Sequence, residues 1–99
     1  MLTLVVYDIQ NNNMRLKLSE RLKDFGLTRI QKSAFIGDLN PQERDVLLNI
    51  IRKYVTSSND RVDIFVICNK DLKLHKRITC FHIDNILIEK GDSKSKKLF

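Results

Sequence analysis

The chain lacks the long apolar segments that would place it in or across a membrane. No apolar run approaches the roughly 20 residues that a membrane-spanning helix requires,. Its apolar start has no preceding basic region and is interrupted by Tyr7 and Asp8, so we expect no secretory signal peptide,. These absences predict a cytoplasmic protein that makes no contact with membranes.

Cysteine is scarce, and its spacing does not match the usual metal or redox motifs. The two cysteines, Cys68 and Cys80, form no C-x-x-C pair, and both lie in apolar, strand-like runs,. We interpret them as buried free thiols in preference to a disulfide or a metal site. Free thiols are typical of a protein in a reducing cytoplasm.

Motifs of several enzyme classes are also missing. The sequence contains no G-x-G-x-x-G, no P-loop and no H-E-x-x-H,. We interpret His75 as a solvated residue and His82 as a packed strand residue, and no serine has a paired base. Nucleophilic catalysis therefore has no support in the sequence.

Positive charge is in excess. The 99 residues include 18 Lys and Arg against 12 Asp and Glu, for a net charge of +6. Such a surplus favours a polyanionic partner, nucleic acid before membrane, although ordinary surface charge is the alternative. The length predicts one domain over residues 1–90. Residues 91–99 form a basic tail without apolar anchors, which predicts disorder.

The amino-terminal quarter of the chain predicts a strand and a helix. Residues 2–8 are apolar on both parities, which is typical of a central strand buried on both faces,. Residues 14–25 carry apolar side chains every three or four positions, as in an amphipathic helix,. Asn12 or Asn13 can cap its start, and Gly26 can end it in the left-handed conformation.

Residues 29–39 alternate in character and predict either one strand or a short hairpin bent near Lys32 and Ser33,. The pattern alone leaves both possibilities open. One parity runs from Arg29 to Phe35 through polar residues, which suggests that this stripe contacts another molecule.

A second helix and a second apolar strand follow. Asn40, Pro41 and Glu43 form a capping-box start, and the helix is predicted to extend to about Val55,. Residues 62–68 then read as a strongly apolar strand,.

The carboxy-terminal third predicts a basic connector and two more strands. The connector covers residues 70–77, and the strands cover residues 78–83 and 86–89, with Asp84 and Asn85 as the turn between them,. Two helices on one face of a mainly antiparallel sheet give an α+β, ferredoxin-like βαββαβ domain. The extra carboxy-terminal strand is predicted to pair across a homodimer.

Asp8 is the main candidate for chemistry. It ends a rigid strand just before a polar loop, where a ligand for a divalent metal ion would be placed. Mg²⁺ usually keeps several waters and binds through one or two carboxylates plus substrate phosphates. One aspartate per chain would suffice if a dimer axis brought two copies together. The alternative is an aspartate that merely caps the loop or the next helix.

Two segments carry a family resemblance. They are V-V-Y-D-I at residues 5–9, followed by a helix opening with Arg15, and G-L-T-R-I-Q-K-S-A-F-I-G-D-L at residues 26–39. In these segments the chain closely resembles the smaller of the two universal CRISPR adaptation proteins, a family of CRISPR-associated endoribonucleases. The resemblance covers about residues 1–90.

The resemblance implies site residues and a metal cofactor, Mg²⁺ or Mn²⁺. Asp8 matches the metal-binding aspartate, which meets its dimer mate across a two-fold cleft. Lys17 stands where the best-studied pattern has a second arginine. A lysine can still contact a phosphate through its charge, but it lacks the two-pronged hydrogen bonding of an arginine guanidinium. Ser33 matches the motif serine. The residues implicated in activity are matched here by Tyr7, Asp8, Arg15, Arg29 and Phe35.

The resemblance also implies a homodimer at the centre of a complex with the larger integrase protein, which inserts new spacers. Two functions remain open: a metal-dependent phosphodiesterase, or a non-catalytic architectural dimer that binds duplex DNA and bridges integrase dimers. The substrate, single-stranded RNA or duplex DNA, is also open. A stand-alone RNA-binding module is disfavoured because the predicted sheet lacks exposed aromatic pairs. The predicted nucleic-acid contacts are Arg15, Lys17, Arg29, Lys70, Lys73, Lys76 and Arg77.

Overall fold

A four-stranded antiparallel sheet forms the framework of the protein. The computed structural model describes residues 1–79 and 83–84. The strands lie in the order β2-β3-β1-β4, and β5 and β6 form a separate two-stranded sheet. This arrangement confirms the predicted α+β, ferredoxin-like class. The elements are β1 (Leu2–Asp8), α1 (Asn12–Asp24), β2 (Thr28–Gln31), β3 (Ala34–Asp38), α2 (Pro41–Arg52), β4 (Arg61–Ile67), α3 (Asn69–Leu72), β5 (Arg77–Ile78) and β6 (Ile83–Asp84).

The main core lies between the sheet and the helices α1 and α2. Val5 and Phe35 from the sheet pack with Leu18 and Leu22 of α1 and with Leu47 of α2, and all five are fully buried. Burial of each such side chain contributes about 1.5–3 kcal/mol. This core fixes the positions at which β1 and β3 end.

The opposite face of β1 is only partly covered, so the prediction of a strand buried on both faces is wrong. Leu2 is buried there, with Leu72 of α3 packed against its cluster. Val6 is 37% exposed, and Phe65 of β4, on the same face, is 51% exposed. Among residues 1–79 and 83–84, this parity of β1 therefore belongs to a sheet face that is only partly covered, which we call the open sheet face.

The N-cap of α1 is Asn11, one residue before Asn12 and two residues before Asn13, the two predicted caps. The Asn11 side chain accepts a hydrogen bond of 3.0 Å from the backbone N–H of Met14, while Asn12 is already helical. Asn11 adopts an extended backbone, as an N-cap residue does,. Gly26 has a φ of +102°, which confirms the predicted left-handed position after the helix,.

The segment that could have been one strand or two is a hairpin. β2 and β3 pair antiparallel, and the chain turns at Lys32 and Ser33. The backbone N–H of Tyr7 donates to the Ser33 carbonyl at 3.0 Å, which ties the turn to the end of β1. The pairing shifts register between Arg29 and Gln31, so β2 carries an irregularity where the predicted polar stripe begins.

The predicted capping box of α2 is confirmed, but the helix ends at Arg52. Asn40 and Glu43 exchange backbone-to-side-chain hydrogen bonds of 2.8 and 2.9 Å. The backbone N–H groups of Lys53 and Tyr54 donate to carbonyls three residues back, so the last turn tightens and leaves the α-helical pattern,.

The carboxy-terminal part differs most from its prediction. The connector at residues 70–77 contains most of α3 and the start of β5. A single strand over residues 78–83 is wrong, because Ile78 pairs with Ile83 across an antiparallel hairpin. The predicted strand at 86–89 lies outside the described residues. So do the predicted tail at 91–99, Cys80 and His82.

Cys68 is half-buried, whereas a buried free thiol was predicted at this position. Its thiol caps α3: it accepts from the backbone N–H of Asp71 at 3.4 Å and donates to the Asp71 carboxylate at 3.1 Å. It is a free cysteine in the part of the chain that the structure describes.

Gly37→Ala is expected to destabilise the protein by about 1–3 kcal/mol through overpacking. A Cβ at Gly37 would lie 2.4 Å from Cδ2 of Leu27, a side chain that is only 4% exposed. Urea denaturation of the variant and the wild type measures the difference. In a Leu27→Val background, which lacks the clashing atom, the alanine should cost less. An equal cost in both backgrounds would show that the Leu27 contact is not the cause.

Candidate metal site and nucleic-acid interface

Asp8 is exposed at the end of β1, on the open face of the sheet. The Gln10 carboxamide donates a hydrogen bond of 3.2 Å from Nε2 to Oδ1 of Asp8. Arg61 of β4 stands opposite Asp8 in the register, and Asp63, two residues on, forms an ion pair of 3.7 Å with Arg61. The Asp8 carboxylate therefore has neighbours that limit its orientation but do not enclose it.

The loop after Asp8 is fixed by Asp60, a residue that the sequence analysis did not select. The Asp60 carboxylate accepts from the backbone N–H groups of Gln10 at 2.9 Å, Thr56 at 2.9 Å and Ser57 at 3.1 Å. These donors, with that of Gln10 contributing most, lower the pKa of Asp60 from 3.8 to about 2,. The contacts thus stabilise the fold fully above pH 3.8, and their contribution is lost as the pH falls through about 2,.

Arg15 lies across the same loop. Its Nη1 donates to the carbonyl of Ile9 at 2.8 Å, and its Nη2 donates to the side chain of Asn12. The guanidinium is thereby held one residue beyond Asp8. Lys17 lies on α1 and is exposed. Arg15 therefore lies at the loop that follows the candidate metal ligand. For Lys17 the described residues show no contact with this loop.

Tyr7, Phe35 and Arg29 form a second group, on the helix-covered side of the sheet. The Tyr7 and Phe35 rings stack with centroids 6.3 Å apart, and the Arg29 guanidinium carbon lies 5.0 Å from the Phe35 centroid. Tyr7 is 4% exposed and Phe35 is fully buried. Because side chains alternate along a strand, Tyr7 and Asp8 point to opposite faces. Phe35 is buried beneath Arg29 and Tyr7, so it contacts these two side chains and is not itself exposed.

An open groove of about 1120 Å³ runs between the β2 strand and β5. Arg29 and Arg77 were predicted as nucleic-acid contacts, whereas Lys23 and Lys32 were not. Among the lining residues that the structure describes, none is acidic. The Arg29 Nε is buried and has no hydrogen-bond partner within the described residues. The groove is lined by Lys23, Leu27, Thr28, Arg29, Ile30, Gln31, Lys32, Arg77 and Ile78.

The groove reaches the end of the sheet at which Asp8 lies. Lys32 occupies the turn whose next residue, Ser33, accepts from the backbone of Tyr7. The Lys32 carbonyl also accepts from the Tyr7 hydroxyl at 3.4 Å. A chain of phosphates following the groove past Lys32 would thus arrive at this end of β1.

The remaining predicted contacts lie on the carboxy-terminal segment. Lys70, Lys73 and Lys76 are exposed and do not line the groove. His75 is half-buried and not solvated as predicted, and its Nδ1 is buried with no partner among the described residues. Burial, followed by the charges of Arg77 and Lys76, lowers the pKa of His75, because each disfavours the imidazolium,.

A single protomer does not form a complete metal site within residues 1–79 and 83–84. No group of three or more His, Cys, Asp or Glu side chains comes together there. Asp8 alone matches the carboxylate share that Mg²⁺ accepts when phosphates and water supply the other ligands. The residues therefore fit a metal ion only if a second carboxylate or a substrate completes the set. None of the helices in the described part of the chain is long and apolar enough to cross a bilayer.

The fold and the site define a small ferredoxin-like α+β protein with an exposed acid at one end of its sheet and a basic groove along the β2 edge. A family model described as CRISPR associated protein Cas2 matches residues 1–74. The chain belongs to this family, which confirms the resemblance found in the sequence.

Named relatives agree with this assignment. The CRISPR-associated endoribonuclease Cas2 of Korarchaeum cryptofilum is 53% identical over 75 residues, covering 76% of this chain and 81% of the relative. A CRISPR-associated endonuclease Cas1/endonuclease Cas2 fusion of Thermoproteus tenax is 35% identical over 78 residues, covering 79% of this chain and 30% of the fusion. The crystal structure of Streptococcus pyogenes Cas2 at pH 6.5 has a TM-score of 0.69 at 17% identity. It covers 80% of this chain and all of that one, which supports the fold.

Proposed function

We propose that this protein is the small subunit of a CRISPR spacer-acquisition complex and a metal-dependent endonuclease. The observation that carries the proposal is Asp8, an exposed carboxylate on a rigid strand end that the basic groove reaches. Relatives named as endoribonucleases support cleavage of phosphodiesters. Hydrolysis of labelled RNA and DNA by the wild-type protein and by Asp8→Asn tests this function.

Asp8 would hold Mg²⁺ or Mn²⁺, with its copy in a second protomer as the other protein ligand. The ion would supply Lewis-acid activation of the phosphate and of water. Arg15, held at the Ile9 carbonyl, and Arg29, held on the Phe35 ring, would offset the negative charge that develops on the phosphate,. Tyr7 and Phe35 would keep Arg29 in place from within the core.

A homodimer that forms through the open sheet face would bring two Asp8 carboxylates, one from each protomer, to the same site. Val6 and Phe65 leave apolar surface exposed on that face, and Asp8 belongs to the same parity of β1. A second copy placed there would cover this surface and bring the two Asp8 side chains to one interface. The pairing of a strand at residues 86–89 with the partner's sheet remains a prediction.

Phe65→Glu is expected to convert the dimer into a monomer at micromolar concentration. The substitution places a charge in the centre of the proposed interface, where it would be desolvated without a partner. Val46→Glu is the matched control, because Val46 is 52% exposed against 51% for Phe65 but lies on α2. Analytical ultracentrifugation measures both masses. A Phe65→Glu protein that stays dimeric would exclude this face as the interface.

Nucleic acid would follow the groove that contains Arg29 and Arg77. Its four cations, Lys23, Arg29, Lys32 and Arg77, suit a phosphate backbone, and backbone contacts carry no sequence information,. The partner protein would be the larger integrase. The Thermoproteus tenax relative, in which Cas1 and Cas2 are fused, supports this partnership.

The alternative is an architectural dimer that binds duplex DNA and bridges integrase dimers without cleaving. One observation favours it: of the described acids near Asp8, Asp63 is engaged by Arg61 and Asp60 is engaged by backbone N–H groups. No general base is therefore evident beside Asp8 among the described residues. The nuclease requires Asp8 for cleavage. The architectural dimer binds DNA without cleaving it, and Asp8 is dispensable for that binding.

A further inference from the structure

Two contacts connect Asp8 to the loop that directly precedes the β4 strand. The Gln10 side chain donates from Nε2 to Oδ1 of Asp8 at 3.2 Å. The backbone N–H of the same glutamine donates to Oδ1 of Asp60 at 2.9 Å. Gln10 thus bridges two carboxylates that are more than fifty positions apart in the sequence, one with its side chain and one with its backbone.

Asp60 is itself held firmly, because its second oxygen is also occupied. Oδ2 accepts from the backbone N–H groups of Thr56 and Ser57 at 2.9 and 3.1 Å, and the backbone N–H of Asp60 donates to the Ser57 carbonyl at 3.1 Å. The carboxylate therefore joins the α2–β4 loop to the β1–α1 loop. Neither loop has regular structure of its own at these residues.

We propose that Gln10 and Asp60 are positioning residues for Asp8. Asp60 fixes the backbone at Gln10, and the Gln10 carboxamide, bonded to Oδ1, then restrains the orientation of the Asp8 carboxylate, whose Oδ2 would be left to bind a divalent cation. This inference rests on the proposed metal role of Asp8. It assigns a function to two residues that are not ligands themselves.

The physical reason is the entropy of an exposed carboxylate. An aspartate at a strand end samples several rotamers unless a neighbour restrains it, and a ligand must be held close to its productive geometry. Loss of such an outer hydrogen bond typically weakens metal affinity or activity 10–100-fold. We therefore expect Gln10→Leu and Asp60→Asn each to weaken Mn²⁺ binding by about 10-fold or more.

The experiment titrates Mn²⁺ into the full-length protein and follows free Mn²⁺ by electron paramagnetic resonance. Gln10→Leu, Asp60→Asn and the double variant form a cycle with the wild type. Asp45→Asn is the control, since it removes the same charge from an exposed position on α2. Two residues that act through one path give a double variant no weaker than the worse single variant.

The same proteins are examined by NMR without metal, following the carboxyl carbon of Asp8 and the side-chain amide of Gln10. Asp60→Asn should shift both resonances, and Asp45→Asn should shift neither. Normal Mn²⁺ affinity in Asp60→Asn, additive losses in the double variant, or unshifted resonances would each overturn the positioning proposal. A wild-type protein that binds no Mn²⁺ but shows the shifts would refute the metal role and retain the positioning contact.

Discussion

Asp8→Asn is expected to abolish metal-dependent cleavage while leaving the fold intact. The amide keeps the shape of the side chain but removes the anionic oxygen that a divalent ion needs. Because loss of a mere outer hydrogen bond already costs 10–100-fold, loss of the ligand should reduce cleavage by more than about 100-fold. Labelled RNA and duplex DNA with Mg²⁺, and with a chelator in place of Mg²⁺, provide the assay.

The matched control for this prediction is Asp45→Asn, which makes the same charge change on the exposed surface of α2. Thermal melts of both variants should agree with the wild type, since Asp8 is exposed and its known contact is a single hydrogen bond. Cleavage by Asp8→Asn at the wild-type rate would refute the catalytic role. It would leave the architectural dimer as the remaining function and indicate a contaminating nuclease.

Neutralising the groove should weaken duplex DNA binding and reduce its salt dependence. Lys23→Gln and Lys32→Gln together remove two of the four cations without disturbing Arg29, which packs on Phe35. The slope of log K against log salt should become shallower by about 0.9 for each lost phosphate contact, or about 1.8 for the double variant. Fluorescence anisotropy over a series of salt concentrations measures the slope.

Lys53→Gln provides the control, because Lys53 is exposed at the end of α2 and does not line the groove. Its slope should equal that of the wild type. The loss in the groove variants should also be the same for unrelated DNA sequences, since phosphates carry no sequence information. Equal slopes for the Lys32→Gln and Lys53→Gln proteins would place the phosphate contacts elsewhere.

Much of the fold could be predicted from local sequence patterns that are compatible with only one local backbone structure. The capping box of Asn40 and Glu43 and the left-handed Gly26 each satisfy backbone groups within a few residues, so they need no knowledge of tertiary packing. The hairpin at Lys32 and Ser33 could not be decided, because this turn has no glycine or proline and is held by the carbonyl contact to Tyr7.

Errors in the fold arose where burial depends on another layer. The apolar parity of β1 that includes Val6 indicated a covered face, yet the described part of one protomer leaves Val6 exposed there. An apolar pattern predicts that a sheet face is buried, but it does not show whether the residues that bury it belong to the same chain. The same limit applies to Ile78 and Ile83, whose short hairpin could not be distinguished from one longer strand.

The candidate site divides into residues that a motif identifies and residues that only the structure reveals. Asp8 and Arg15 stand out because of their place after the first strand and at the first helix. Asp60 and Gln10 do not, since their contact joins distant loops through a backbone N–H, which leaves no side-chain pattern. The one sequence signal for the Asp60 contact is the polar run at residues 56–59 before it, because short polar side chains favour turns in which a side chain binds the backbone,.

Crystallisation with Mn²⁺ and measurement of its anomalous scattering tests the central claim most directly. The account predicts one Mn²⁺ peak between the Asp8 carboxylates of two protomers that meet through their open sheet faces. Loss of that peak in Asp8→Asn crystals of the same form would complete the assignment. A dimer whose Asp8 side chains face away from each other, or Mn²⁺ bound only at other residues, would contradict it.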